Sequence, residues 1–310
     1  MLSIGIIGLG DIATKAYLPL ICTRADLDIH LCSRNTENMQ RLAAQYRIGK
    51  IHNQLNSLIT AGIQAAFVHA ASVAHYTIIE QLLQAGIAVF VDKPLTLHLA
   101  QSQQLATLAR ETNTPLMVGF NRRYAPVYRQ LKAVDQPTMI LMQKNRRSLP
   151  GESRSFVLDD FIHVVDTLRW LFPLPIVDAK ITFMGEGDRL SQITLQLRAQ
   201  DGETAIGIMN RNTALTEERL EVMSPAQKLV AVNMSQLIEE GQSGSQYTRQ
   251  NDWESTLQKR GFAPMVEDFL QAVSSESTPY IDLDDALLTH QLCEDIIGMV
   301  HEQGRMMSRQ

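Results

Sequence analysis

The sequence predicts an α/β protein in two parts. The first is a doubly wound parallel sheet, and the second an α+β domain built on a large, mostly antiparallel open sheet. Three observations predict this. Short apolar runs alternate with amphipathic ones over the first 120 residues. A glycine loop joins the first strand to the first helix. After Gly119, strand candidates follow one another with only turns between them. The domains expected are residues 1–120 and 121–310, with the terminal helix able to pack back on the first.

Each element has a local reason. Ile4–Ile7 is an apolar run of strand length, and Ile12–Cys22 a helix despite Pro19 near its end. Asp28–Cys32 is the next strand and Thr36–Tyr46 a helix. Ala65–His69 is a strand, and Tyr76–Ala85 places Ile78, Ile79, Leu82 and Leu83 at helical spacing before the stop at Gly86. Strand Ala88–Val91, helix Leu99–Arg110 and strand Pro115–Val118 complete the alternation, which implies right-handed crossovers and a sheet covered on both faces. Beyond it come helix Pro126–Val134, strand Met139–Arg146 and helix Phe161–Phe172, ended by Pro173. Strands Val177–Met184, Ser191–Ala199 and Glu203–Asn210 follow, with weaker ones at Leu220–Met223 and Leu229–Val232. The polar, Gly/Ser-rich stretch Glu239–Gln250 reads as a loop, and helices Met265–Val273 and Asp284–His301 close the chain.

Composition narrows the function classes. With 28 Lys+Arg against 33 Asp+Glu, the formal net charge is −5, which disfavours a chain-wide nucleic-acid footprint. A hydrophobic content of 45% supports a large core. No apolar run reaches the roughly 18–20 residues of a membrane span, and no secretory leader opens the sequence. Cys22, Cys32 and Cys293 are odd in number and form no CxxC pair, which fits a reducing cytoplasm. The dispersed histidines offer no metal cluster, and no G-x-S-x-G is present.

Gly8-Leu9-Gly10-Asp11-Ile12-Ala13 is G-x-G-x-x-A between a strand and a helix, the setting of a Rossmann dinucleotide fingerprint. Gly8 permits the tight turn, Gly10 lets the backbone approach a pyrophosphate, and Ala13 allows close helix–strand packing. The helix start carrying Asp11 and Ile12 offers N–H groups to the anion. The alternative is a glycine turn that binds nothing. The second strand ends Cys32-Ser33-Arg34, with no acid to hold ribose hydroxyls. Ser33 and Arg34 suit a 2′-phosphate, so NADP is favoured over NAD, unless Arg34 is simply a solvated surface residue.

Asp92-Lys93-Pro94 follows strand Ala88–Val91. Ligands bind at the carboxyl ends of parallel strands, which gives Lys93 a functional reading beside that of an ordinary surface lysine. Asp159 and His163 stand four residues apart in an apolar helix. They read either as an acid/base pair or as a core histidine with a capping aspartate. Arg146-Arg147 is a basic cluster able to bind an anionic or hydroxylated substrate, or else a solvated strand end.

Together these segments resemble the Gfo/Idh/MocA oxidoreductases. The glycine loop, Asp92-Lys93-Pro94 and the Asp159/His163/Asp166 spacing look like that family's glycine fingerprint, E-K-P motif and D-x-x-x-H-x-x-D segment. Val118-Gly119-Phe120-Asn121-Arg122-Arg123-Tyr124 looks like its V-G-F-x-x-R-aromatic junction. Phe67-Val68-His69 and Trp253-Glu254-Ser255-Thr256-Leu257 resemble the MviM subgroup. The resemblance implies NAD(P)-dependent hydride transfer on a sugar, polyol or related small molecule, without a metal. It makes Lys93, Asp159 and His163 catalytic. It adds His75 and Asp92 to the cofactor contacts, and Arg123 to the substrate contacts beside Arg147 of the basic cluster. It also implies a homodimer or homotetramer through the second sheet. Two departures stand out: Asp92 replaces the family's Glu, and Ser72-Val73 replaces a frequent Pro-Asn before His75. A cofactor-binding regulator without turnover and an NAD-dependent glycosidase are the rival readings.

Overall fold

The computed structural model describes residues 1–172, 174–242 and 244–307. It forms two compact units: Met1–Phe120 with Phe262–Leu288, and Asn121–Gly261 with the chain from Thr289 onward. Sequence draws a single line after residue 120, whereas residues 262–288 return to the first unit.

The first unit holds six strands: β1 (Leu2–Ile7), β2 (Leu27–Cys32), β3 (Lys50–His52), β4 (Ala65–Val68), β5 (Ala88–Asp92) and β6 (Leu116–Gly119). Their order is β3-β2-β1-β4-β5-β6, every pair parallel. The winding direction reverses between β1 and β4, and such a switch point opens a crevice at the strands' carboxyl ends. Helices Thr36–Tyr46, His75–Gln84 and Leu99–Glu111 follow the apolar spacing, and Ile79, Leu82 and Leu83 are fully buried. Strand β3 and helix Leu55–Thr60 lack a sequence signal because they are too short to show a period. The first helix is not regular: Ala13–Tyr17 is a wide π turn, followed by Leu18–Ile21. The irregularity directly precedes Pro19, which has no N–H to donate to Lys15.

The second unit carries β7 (Met139–Arg147), β8 (Gly151–Glu152), β9 (Asp178–Glu186), β10 (Arg189–Arg198), β11 (Thr204–Thr213), β12 (Glu217–Met223), β13 (Lys228–Val232), β14 (Gln236–Gly241) and β15 (Gly244–Arg249). The sheet runs β15-β14-β13-β12-β7-β11-β10-β8, with β9 also on β10. Among the described residues, only β7 and β11 pair in parallel in this sheet; the other pairs are antiparallel. The expected loop Glu239–Gln250 is largely strand. Every residue of β15 is exposed, so no apolar alternation marks it.

The helix expected at Phe161–Phe172 begins earlier. Ser153–Phe156 is α-helical, Val157–Phe161 forms a π turn, and Ile162–Leu171 continues as α-helix. Pro173, its expected stop, lies outside the described residues. A Cβ on Gly207 of β11 would come within 2.7 Å of Val164 and 2.8 Å of Leu168, so the helix rests directly on that strand. The segment 121–261 closes on itself. Asn121 Nδ2 donates to the Arg260 carbonyl at 2.8 Å, and Gly261, at φ +80°, sits where a Cβ would meet Asn121 O at 2.2 Å. Among the described residues, no helix is long and apolar enough to cross a membrane. Among the same residues, no cluster of His, Cys, Asp and Glu could hold a metal.

Candidate functional site

The glycine loop leaves β1 at the switch point. Gly8 has φ +85°, and a Cβ there would meet the Ala70 nitrogen at 2.4 Å, so only glycine fits. Gly10 faces open space, with nothing within 4 Å of a Cβ position. Asp11 and Ile12 are exposed and Ala13 is fully buried. Asp11 pairs with Lys15 at 2.8 Å along the outer surface. One residue outside the sequence reading holds this loop: Asn38 Nδ2 donates to the Leu9 carbonyl at 2.8 Å. Its only sequence signal is its place in the first turn behind the Asn35 cap, whose side chain accepts from Asn38 N at 3.0 Å. The cradle fits a dinucleotide pyrophosphate, being tight beneath Gly8 and unobstructed above Gly10. At the end of β2, Ser33 N donates to the His52 carbonyl at 3.1 Å and its Oγ accepts from Asn35 N at 3.2 Å. Arg34 is exposed.

The end of β5 carries the second group. Asp92 Oδ1 accepts from Lys93 N at 2.9 Å, and burial pushes its carboxyl up against the opposing pull of the Lys93 charge. The Lys93–Pro94 bond is cis. His75, 1% exposed, places Nδ1 2.9 Å from the Pro94 carbonyl and Nε2 2.9 Å from the Ala70 carbonyl. Expected as a cofactor contact, its ring is instead occupied by backbone. It ties the segment beneath Gly8 to the turn after Lys93. His69 is stacked on Tyr17 with ring centroids 3.9 Å apart, and Phe67 and Phe90 lie beside it. Burial, then the His75 charge, pushes its imidazole down to about 3, so it stays neutral near pH 7. Phe67-Val68-His69 is therefore packing.

In the second unit, Asp159 lies in the π turn and His163 one turn on, in the α-helix. Asp159 is exposed and His163 half-buried, while Leu158, Phe161, Ile162 and Val164 between and beside them are buried. A wide turn at this point is a frequent mark of functional helices. Asp160 points inward: Lys144 bonds its Oδ1, and Arg146 Nε donates to Oδ2 at 3.1 Å. Burial would raise this carboxyl, but the Lys144 charge and the Arg146 bonds hold it at about 2. Lys144 is drawn down to about 7 by burial and then by the Arg122 charge. Arg147 is exposed at the end of β7.

Arg123, expected at the substrate, is placed otherwise. It is 4% exposed; its Nη2 lies 2.6 Å from Asp166 Oδ1 and its Nε 3.0 Å from Oδ2. Thr289 Oγ1 donates to the same carboxylate at 3.0 Å. The guanidinium is committed to a buried anchor, and Asp166, the last acid of the D-x-x-x-H-x-x-D segment, is its partner. A cavity of about 850 Å³ in the first unit, lined by Gln64, Ala88, Pro115 and Leu116 among others, opens at the starts of β4–β6. That is the edge opposite Gly8 and Lys93.

The chain resembles known sequences and solved folds along its length. Residues 2–120 match the family described as "Oxidoreductase family, NAD-binding Rossmann fold", and residues 126–242 match "YceM-like, C-terminal domain". It is 31% identical to "Putative oxidoreductase YceM" of Salmonella typhimurium, across 94% of this chain and 96% of that one. It is 27% identical to an inositol 2-dehydrogenase of Rhizobium meliloti, across 78% and 80%. A Gfo/Idh/MocA family oxidoreductase from Vibrio cholerae superposes with a TM-score of 0.90 at 32% identity, covering 98% of this chain and 99% of that chain. A dehydrogenase (MviM) from Clostridium difficile gives 0.91 at 27% identity, covering 96% and 99%.

Proposed function

Because this chain belongs to the Gfo/Idh/MocA family of oxidoreductases, we propose that it moves a hydride between a nicotinamide dinucleotide and a carbinol or carbonyl carbon of a sugar, polyol or related small molecule. The observation that carries this reading is the cradle at the switch point, where Gly8 is pressed against Ala70 and Gly10 stands open. Gly8, Gly10 and the Asp11–Ala13 helix start would hold the pyrophosphate. Ser33 and the exposed Arg34 favour a ribose 2′-phosphate, hence NADP over NAD.

The bound nicotinamide supplies the hydride acceptor or donor. The chain's own residues handle the proton and the charge. In the oxidative direction His163 takes the substrate hydroxyl proton, and Lys93 bonds the same oxygen and stabilises its developing negative charge. Asp159 orients these groups and supports their charged states. Asp92 holds the Lys93 backbone through the 2.9 Å bond. Homo-oligomers through the nine-stranded sheet belong to the same reading, and sedimentation equilibrium reads their size.

The test is Lys93→Met assayed with both cofactors against a polyol and aldose panel. Turnover is lost while cofactor affinity, followed by nicotinamide fluorescence, changes little. Near-normal turnover sinks the assignment. Tighter binding of NADH than of NADPH by the wild type overturns the cofactor choice, and Arg34→Ala weakens NADPH selectively.

A further inference from the structure

On β11 the side chains of Ala205, Gly207, Met209 and Arg211 alternate onto the buried face. The first three meet the expectation for a face under the helix Ile162–Leu171. Arg211 places a permanent cation in the next slot. It is 8% exposed, and its guanidinium carbon lies 5.1 Å from the centre of the Phe156 ring. The parallel neighbour β7 changes in the same way, from Ile140 and Met142 to Lys144. The two strands thus turn from apolar to cationic at their shared carboxyl ends, beneath the π turn that carries Asp159.

The placement of Arg211 is built. The β7–β11 register shifts between Asn210 and Thr213. Asn210 Oδ1 accepts from Asn212 N at 2.9 Å across the irregularity. Bulges of this kind re-aim a side chain. Asp160, the nearest carboxylate, has both oxygens engaged by Lys144 and Arg146. Arg211 Nε stands 3.9 Å from Asp160 Oδ2, a distance that leaves a Coulombic attraction, shared with Asp159, but no hydrogen bond to the buried Nε. A buried guanidinium stays charged, and one without a bonded anion is costly unless a ligand supplies it. About 10% of its side chain remains open. Arg147 is exposed nearby in sequence register, paired with Thr213.

We propose that Arg211 is a substrate-binding residue that takes an anionic group, a carboxylate or a phosphate, carried by the polyol on which the enzyme acts. The inference rests on the hydride-transfer reading only for the word substrate; the anion site itself stands on the second unit alone. The bidentate fork of an arginine matches both anions, and Phe156 beneath it fixes the plane in which they dock.

The test is calorimetric titration of the NADP-saturated protein with D-glucuronate, D-glucose 6-phosphate and D-glucose. At least one anionic probe binds roughly tenfold or more tightly than glucose, as a charge-assisted hydrogen bond implies. Arg211→Gln brings the ratio near one, and Arg211→Lys, keeping the charge but not the fork, leaves an intermediate ratio. Melting curves verify that both variants fold. The exposed Arg147→Gln, which leaves the buried face untouched, lowers the ratio less than Arg211→Gln does. A glucuronate preference assigns a carboxylate, and a glucose 6-phosphate preference a phosphate. Equal affinity for all three probes in the wild type, or an unchanged preference in Arg211→Gln, overturns the proposal. Anion binding that depends on Arg211 while no probe exchanges hydride with the cofactor supports the site and counts against the hydride reading.

Discussion

Arg123 grips Asp166 with two donors, at 2.6 Å and 3.0 Å, and neither partner is more than 4% exposed. The pair joins the turn after β6 to the helix that carries His163. Removing one partner leaves a buried charge without its counter-ion. Arg123→Met is expected to cost roughly 3–5 kcal/mol in urea unfolding. Replacing both residues by apolar ones recovers much of the loss. A single substitution costing under about 1 kcal/mol would show the pair to be incidental.

Two glycines separate fold from function. Gly8→Ala forces a Cβ into the Ala70 backbone at 2.4 Å and at a positive φ, so both the melting temperature and dinucleotide affinity fall. Gly10→Ala meets nothing within 4 Å, so its stability stays within about 0.5 kcal/mol of wild type. The methyl group does occupy the surface offered to a pyrophosphate. Fluorescence titration therefore detects weaker NADPH binding in a protein that melts normally.

Acid should expose the ion pair inside the second sheet. Arg122 donates to Glu218 at 2.6 Å and 2.9 Å, and the Tyr128 hydroxyl donates at 2.6 Å. Burial would raise the Glu218 carboxyl, but the Arg122 charge and these bonds hold it at about 2, against an ordinary 4.5. A depressed folded value means stabilisation that is complete above the unfolded value and lost as pH falls through the folded one. The contribution is about 3 kcal/mol, lost between about pH 4.5 and pH 2. Denaturant midpoints in that window fall steeply for the wild type. They fall less for Glu218→Gln, which starts lower.

His75 is expected to act through the backbone. His75→Ala removes the ring packed between the Pro94 and Ala70 carbonyls and the one N–H it can give to either, at a cost of roughly 1–3 kcal/mol. It loosens the turn after Lys93 and the segment under Gly8 together. The Michaelis constant for cofactor rises along with a fall in kcat, whereas loss of a direct cofactor contact alone moves the former. Steady-state kinetics with cofactor varied at saturating substrate separates the two.

What could be read from sequence follows from how locally each feature is encoded. Helix Thr36–Tyr46 coincides with its expectation because its cap and apolar spacing lie within eleven residues. The glycine loop was legible because Gly8 answers to a backbone geometry that only glycine meets. Strand β15 was hidden, since a fully exposed edge has no alternation to show. Arg123 and Arg211 were hidden for another reason. Whether an arginine meets a carboxylate of its own chain is settled by residues 43 positions away, in the case of Arg123 and Asp166. The cation on β11 stands out only once Ala205, Gly207 and Met209 are seen to share its face.

The closure of residues 121–261 has a consequence for how such a chain can change over generations. Its two ends meet, Asn121 bonding Arg260 and Gly261 pressed against Asn121. A stretch that begins and ends at one place can be lengthened, shortened or exchanged as a cassette without re-threading the six-stranded sheet. The glycine loop and the sheet that carries it can therefore be inherited unchanged while the segment that holds Asp159 and His163 is rewritten.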